Sequence, residues 1–480
     1  DRQRDVSGQL IHGSPKGTLH GVRTSEALLQ SVALHQHCAG NAQGTTSVMN
    51  HHRVVVVMVP SVSPLPSTLN VRPSVLRSVR LETLLDVRRR TEALIEPLEP
   101  EDLCLQGMAD ASPPKWHLAH TAWFFETFLL QPHLPGHQAC DPCWSSQFNS
   151  YYDAVGPRQP RPQRGLLSRP PMDEVSAWRK RVNLALEELL ERNSEAPWLD
   201  LVELGLHHEQ QHQELMLMDL LDGFSRQPLE PAYRSDWSEA FDAQSITTVQ
   251  TTDAQGHGPW LNCGGGLVEV GHSGDTFHFD NERPRHRTWL DPFSIAARLV
   301  SNGAYRCFID DGGYQRPELW MSEGWAVRSQ RNWDAPRYWR RNTDGQGPWQ
   351  WEFTLAGRCP LEDHLPVRHL SWFEADAYAR WTGARLPSEA EWELASCEHG
   401  ESLQQSHGQL WQWTSSPYRP YPGFQAAAGA VGEYNGKFMT SQFVLRGSSQ
   451  LTPRGHSRDT YRNFFTPASR WMAAGLRLAQ

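Results

Sequence analysis

Two histidines four residues apart carry the strongest chemical signal in the chain: His208 and His212, in the run Gly205-Leu206-His207-His208-Glu209-Gln210-Gln211-His212-Gln213-Glu214-Leu215-Met216. On a helix this spacing projects both imidazoles from one face, so both can reach one ion. A histidine pair by itself is more often a polar stripe on a helix surface. Here the apolar residues of the same helix must turn inward, and polar residues beside them need a reason. A third candidate lies in Trp116-His117-Leu118-Ala119-His120-Thr121-Ala122-Trp123-Phe124-Phe125, where His120 shares a stripe with Trp116, Trp123 and Thr127. Buried on that stripe, an imidazole costs stability unless it is hydrogen-bonded or metal-bound. His117 sits nearby on the same wheel, and geometry alone does not choose between them. Three neutral imidazoles without a thiolate or carboxylate suit zinc, iron or copper.

The spacing His208-Glu209-Gln210-Gln211-His212 formally matches the zinc-protease pattern, in which the glutamate is the general base. No third ligand follows at the distance such enzymes use, which argues against that chemistry. Cys140-Asp141-Pro142-Cys143 is a single Cys-x-x-Cys without a partner pair, so no structural zinc site is expected there.

Positioning these groups requires long helices, and the first half of the chain supplies them. Val75, Val79, Leu81, Leu84, Leu85, Leu94 and Ile95 recur with a helical period. A second helix is predicted from Ser112-Pro113-Pro114 through Leu130, with Ser112 capping the free amides and proline in the first turn. Val175, Trp178, Val182, Leu186 and Leu189 mark a third, and Leu201 to Leu221 a fourth. Together they predict a four-helix bundle over residues 71–225. Between the second and third helices, residues 132–171 are rich in proline, arginine and aromatics and are long enough to form a functional loop. Residues 226–258 read as a polar linker.

From 259 to 480 the texture changes to short strands, glycine turns and tryptophans. Gly264–Gly271 and Leu365–Trp372 read as strands, Trp372–Thr382 and Ser388–Ala395 as helices, the last with a Ser388/Glu391 capping box. No repeat is sustained, which argues against a propeller or solenoid. The expected fold class is therefore multidomain, an α bundle followed by an irregular α+β domain.

Composition narrows the function. At 480 residues the chain exceeds what one hydrophobic core usually supports. A net charge of −9 leaves no basic footprint for nucleic acid. No apolar run approaches the ~20 residues that span a bilayer, so no membrane partner is expected. Eight dilute cysteines suggest a reducing, cytoplasmic setting. Residues 1–70 are rich in Ser, Gly, Thr and His and are expected to be disordered. Val54–Val59 after His51-His52-Arg53 outlines a weak signal peptide, but its apolar core is short and ends at Pro60, against export; a native start near Met58 explains it equally well. Oligomeric state does not follow from the sequence.

Ser112-Pro113-Pro114-Lys115-Trp116-His117-Leu118-Ala119-His120-Thr121, joined to His208–His212 and to a C-terminal domain ending Gly475-Leu476-Arg477-Leu478-Ala479, closely resembles the ergothioneine-biosynthesis sulfoxide synthases. These are nonheme iron enzymes with a DinB-like four-helix bundle and a domain of the formylglycine-generating-enzyme type, built on a C-type-lectin-like fold. The resemblance spans roughly residues 75–480. It implies that His120, His208 and His212 ligate Fe(II). It also implies oxidative C–S bond formation between hercynine, the trimethylated betaine of histidine, and a cysteine-type thiol with O2, yielding a sulfoxide.

The resemblance implies further roles. Gln211 matches a position near the bound imidazole. Asn149 to Pro162 resembles the substrate loop, with Tyr151 and Tyr152 as the active-site tyrosines of the cysteine-using branch and Arg158 and Arg161 as carboxylate binders. Tyr461-Arg462-Asn463-Phe464-Phe465 resembles the segment that meets the trimethylammonium group, Phe464 through its ring face and Asn463 as its orienter. The γ-glutamylcysteine branch places an acid where Phe465 stands, which tilts the thiol donor toward cysteine. Formylglycine-generating enzymes need paired cysteines near the C-terminus, and no cysteine follows Cys397, so sulfatase maturation is excluded. The alternatives on this scaffold are a selenoneine synthase, a 5-histidylcysteine sulfoxide synthase and a zinc thiol transferase. From another class comes a noncatalytic protein that binds ligands through its lectin-like half.

Overall fold

The computed structural model describes residues 73–192, 198–237, 258–342, 345, 347–426, 432 and 435–480. The chain forms two units, Asp1–Leu69 and Asn70–Gln480, and every residue discussed below belongs to the second. The expected disordered stretch and most of the expected linker lie outside the described residues.

Apolar periodicity builds the first half. Helices α1 (Pro73–Ala93), α2 (Pro114–Phe125), α3 (Pro142–Phe148), α4 (Met172–Arg192) and α5 (Leu199–Ser225) occur in that order. Helix α2 is buried along its whole length because α4 and α5 both pack on it, and it continues through a π turn, Glu126–Leu130, to His133. The apolar stripe of α4 faces the core at Val175, Trp178, Val182, Leu186 and Leu189. The cap expected at Ser112 does not form. A residue preceding proline is held extended, and Pro113 therefore takes the N-cap position, leaving Ser112 one residue too far away. Ser112 instead donates its N–H to Asp219 at 2.8 Å and accepts from Arg164 at 2.9 Å.

In the second half β1 (Trp260–Cys263) pairs with β4 (Phe293–Ala296), and β2 (Gly266–Val270) with β3 (His286–Leu290), both antiparallel. After α6 (Asn302–Asp310) and α7 (Ser322–Arg331), β5 (Trp339–Arg340), β6 (Trp351–Thr354) and β7 (Gly357–Pro360) form a three-stranded antiparallel sheet. Helices α8 (Trp372–Trp381) and α9 (Glu389–His399) begin at capping boxes, Ser371/Glu374 and the expected Ser388/Glu391. Strands β8 (Trp411–Pro417), β9 (Phe443–Gly447), β10 (Asn463–Phe465) and β11 (Ala474–Leu476) make a sheet in the order β10-β9-β8-β11, with β11 parallel to β8. The run Leu365–Trp372 is not a strand. Pro366 makes an isolated bridge to Ser301, and His369 adopts a left-handed φ of 62° that ends any extended run.

Helix α5 is the spine of the unit. Its Glu214 is buried and accepts from Trp411 Nε1 (2.8 Å), Ser449 Oγ (2.6 Å) and Thr452 Oγ1 (2.8 Å) of the β8–β10 region. Asp222, near its end, pairs with Arg337, and Glu230 beyond it pairs with Arg340 and Arg358. One hydrophobic cluster runs without interruption from the bundle into the second domain.

Strand β10 is anchored by charge. Arg462, the residue before it, donates to both oxygens of Glu389 (2.7 and 3.0 Å), and Arg446 of β9 bridges Glu389 and Glu393. Burial alone would raise the Glu389 carboxyl, but Arg462 and Arg446 outweigh it and hold it below its ordinary 4.5. With the folded-state value depressed, the stabilisation is complete above the unfolded carboxyl's titration and is lost as pH falls through the depressed value. Glu389→Gln is expected to cost about 3–5 kcal/mol in urea unfolding at pH 7 and to flatten the acid limb of the stability–pH curve. Equal urea midpoints for variant and parent at pH 7 would contradict this role.

Candidate metal centre and the cavity beside it

Gly205, one turn before His208, sets how closely two helices approach. A Cβ there would lie 2.5 Å from the Phe125 ring, so glycine is what lets α5 pack this tightly on α2. At that separation His120 of α2 meets His208 and His212 of α5. The Nε2 atoms of His120 and His208 are 3.2 Å apart and those of His208 and His212 are 3.1 Å apart. Two nitrogens each about 2.1 Å from one ion and at right angles lie about 3 Å apart, so these separations suit neighbouring positions around a single metal. All three imidazoles are buried.

Hydrogen bonds behind two of the rings, His120 and His212, fix their tautomers. His120 Nδ1 lies 2.6 Å from the Phe148 carbonyl, so it carries the proton and Nε2 keeps its lone pair. His212 Nδ1 lies 2.8 Å from His117 Nδ1, and His117 Nε2 lies 3.3 Å from Asp219. The assignment that satisfies both contacts has His212 donating to His117 and His117 donating to the carboxylate, which again leaves His212 Nε2 as the lone-pair atom. Trp116 stacks on His120 at 4.6 Å and 10°. Burial lowers His208 to about 3 and holds His120 and His212 well below their ordinary range, so all three rings are uncharged at neutral pH.

Glu209 is not available as a base. It turns to the opposite side, accepting from Arg88 (2.8 Å), Arg179 (2.9 Å) and Thr91 (2.6 Å) in the bundle core. Burial would raise its carboxyl, but the two guanidiniums dominate and hold it at about 2. This disposes of the zinc-protease reading. Glu209→Ala is expected to destabilise the fold by about 3–5 kcal/mol by stranding two buried cations. Loss of catalysis with an unchanged urea midpoint would restore the general-base assignment.

A cavity of ≈ 110 Å³ lies over His208 and His212, and a second of ≈ 300 Å³ adjoins it, the two sharing Asp110, Tyr151, Arg161, Gln211 and Leu215. Asn463, Phe464 and Phe465 line the larger one together with Tyr461 and Phe438. Phe464 is stacked on Tyr418 at 4.1 Å and 11°, which holds its ring in place. Gln211 donates to the Tyr461 hydroxyl at 2.6 Å, and that hydroxyl lies 3.3 Å from His456 Nε2. Lys437 reaches across to the Tyr151 carbonyl and to Asp153, tying the loop to the second domain.

Two expected site residues stand elsewhere. Tyr152 is fully buried behind Tyr151, stacked on it at 4.6 Å and packed against Trp123 and Phe128, and it lines neither cavity. Arg158 is exposed and turns to Asp153 and the Ser150 carbonyl. The residue missed in the sequence is Arg164, which is buried in the wall of the smaller cavity with its guanidinium 3.4 Å over Trp116. Its Nε has no partner among the described residues, and burial, then Arg161, pulls its pKa down to about 8. Residues 161–166 form a 3₁₀ helix, in which positions i and i+3 eclipse. The spacing Arg161-x-x-Arg164 was the available signal.

The DinB superfamily model matches residues 83–216, and the sulfatase-modifying factor enzyme 1-like domain matches residues 250–405. Over 447 residues the chain is 30% identical to hercynine oxygenase of Mycolicibacterium thermoresistibile, covering 82% of this chain and 93% of the relative. With hercynine oxygenase of Mycolicibacterium smegmatis it shares 31% identity over 452 residues, covering 83% and 98%. With that of Mycobacterium tuberculosis it shares 30% over 441 residues, covering 82% and 97%. A DinB-like helical region carrying a three-histidine centre, followed by a sheet-containing domain of the sulfatase-modifying-factor type, places the chain in the hercynine oxygenase family of oxidoreductases.

Proposed function

We propose that the protein joins hercynine to cysteine with O2 as oxidant, on Fe(II) held by His120, His208 and His212. In balance, an imidazole C–H and a thiol S–H are replaced by a C–S bond, one oxygen atom is retained on sulfur as the sulfoxide, and the other leaves as water. The observation that carries this reading is the convergence of three uncharged imidazoles beside a cavity lined with aromatic rings and arginines. When bound, iron supplies the redox chemistry that couples reduction of O2 to formation of the C–S bond.

The chain's own groups do the positioning. The faces of Phe464 and Phe438 suit a trimethylammonium group, whose charge is diffuse and cannot donate hydrogen bonds. Arg161 and Arg164, one exposed and one buried, suit the carboxylate of the thiol substrate. Phe465 offers no acid to the amine of a longer γ-glutamyl donor, which supports cysteine. Tyr151, which borders both cavities, is the tyrosine placed to give up a proton there, with Tyr152 as its packing support. Binding metal and substrate in this pocket holds the reacting groups together, and that proximity accounts for a large part of such a rate enhancement.

Aerobic incubation of Fe(II)-loaded protein with hercynine and, in separate arms, cysteine, γ-glutamylcysteine or a selenosugar is expected to give the cysteine sulfoxide adduct by mass spectrometry. Oxygen consumption without any adduct would defeat the proposal, and a selenium or γ-glutamyl adduct would redirect the donor. His212→Ala is expected to abolish both metal retention and product; retained function would instead favour the noncatalytic reading. Tyr461→Phe removes the acceptor that holds Gln211, a loss of about 1–1.5 kcal/mol. It is therefore expected to raise KM for hercynine about tenfold while leaving iron content unchanged.

A further inference from the structure

Among the described residues, one further cluster of ligand-type side chains stands outside the three-histidine centre. Cys263 ends β1, and its Sγ lies 3.3 Å from Nε2 of His399, the last residue of α9. Glu398, the residue before it, brings a carboxylate oxygen within 4.8 Å of both donors. The cysteine is buried, the histidine half-buried and the glutamate exposed, so the cluster has a dry side and a wet one. Two further features favour a cation. The last turn of a helix carries partial negative charge on its unsatisfied carbonyls, and Glu391 adds a second carboxylate to the field at the thiol.

We propose that Cys263, Glu398 and His399 bind a zinc-class divalent ion through one sulfur, one nitrogen and one oxygen, with water at the fourth position. On binding, the thiol proton passes to solvent and the thiolate stays on the metal, so no electrons are transferred. The sulfur donor distinguishes this site from the three-histidine centre, which has only nitrogen ligands, and a soft thiolate suits a zinc-class ion. The ion would pin the end of β1 to α9 over the small satellite core of Phe293, Ile295, Trp392, Ala395 and Leu403. Its role is to fasten that corner of the domain, apart from the chemistry of the bundle.

The full-length protein, stripped with chelator and titrated with Co2+, tests this. A second ion is expected with a near-ultraviolet thiolate-to-cobalt charge-transfer band, since the histidine centre contains no sulfur. Cys263→Ser is expected to lose that band and His208→Ala to keep it. In the unmutated chain, zinc at 100 times its Kd should slow alkylation of Cys263, read by peptide mass spectrometry, by about 100-fold. His399→Gln should weaken zinc retention by at least about tenfold. A titration that stops at the histidine centre without a sulfur band, or a Cys263 unprotected by saturating zinc, would overturn the proposal and leave a thiol–imidazole hydrogen bond.

Discussion

Everything in this unit is subordinate to keeping three imidazoles uncharged, dry and aimed at one point. A buried ring nitrogen without a partner is costly, so each ring needs both an atom behind it and a purpose in front. His120 finds the Phe148 carbonyl behind it, and His212 finds His117. The frame that holds them is a pair of helices in contact at Gly205. Directly beyond His208 on α5, Glu209 is locked between Arg88 and Arg179, and this fixes the rotation of the helix that presents two of the three rings.

The same helix then serves as the dock for the second domain. Glu214, less than one turn past His212, accepts three bonds from residues around β8 and β9, so the ligands and the cavity wall are indexed to one rigid rod. Inside the cavity the charges are divided unevenly. Glu209, Asp222 and Glu230 along the spine are matched by guanidiniums, whereas Arg164 meets a hydroxyl and an indole face. A buried cation so placed favours an anionic visitor.

The periodic features of this arrangement were legible in the sequence and the long-range ones were not. The i,i+4 pair His208/His212 and the stripe on α4 follow from helical spacing alone. Spacing could not choose between His117 and His120 because the fold uses both, one at the centre and one supporting His212. The cap at Ser112 and the strand at Leu365–Trp372 failed for local backbone reasons, an extended Pro113 and a left-handed His369. Arg158 looked equivalent to its neighbours in an irregular loop, until a 3₁₀ turn set Arg161 and Arg164 together and left it outside. Partners such as Lys437 for the Tyr151 loop, or Ser449 for Glu214, leave no periodic trace, because they join positions hundreds of residues apart.

The seam between the halves has a consequence for how such a pocket can change. The floor, with its donor nitrogens, is written on two helices of the bundle; the ceiling is written on the 3₁₀ turn Gly436–Phe438 and strand β10 of the other half. Alterations at Phe438, Phe464 or Phe465 can therefore redraw which molecules are admitted without touching the three histidines, because none of these phenylalanines lines the smaller cavity. The two sets of residues meet where Gln211 donates to Tyr461 and where Asp110, Tyr151, Arg161 and Leu215 line both cavities.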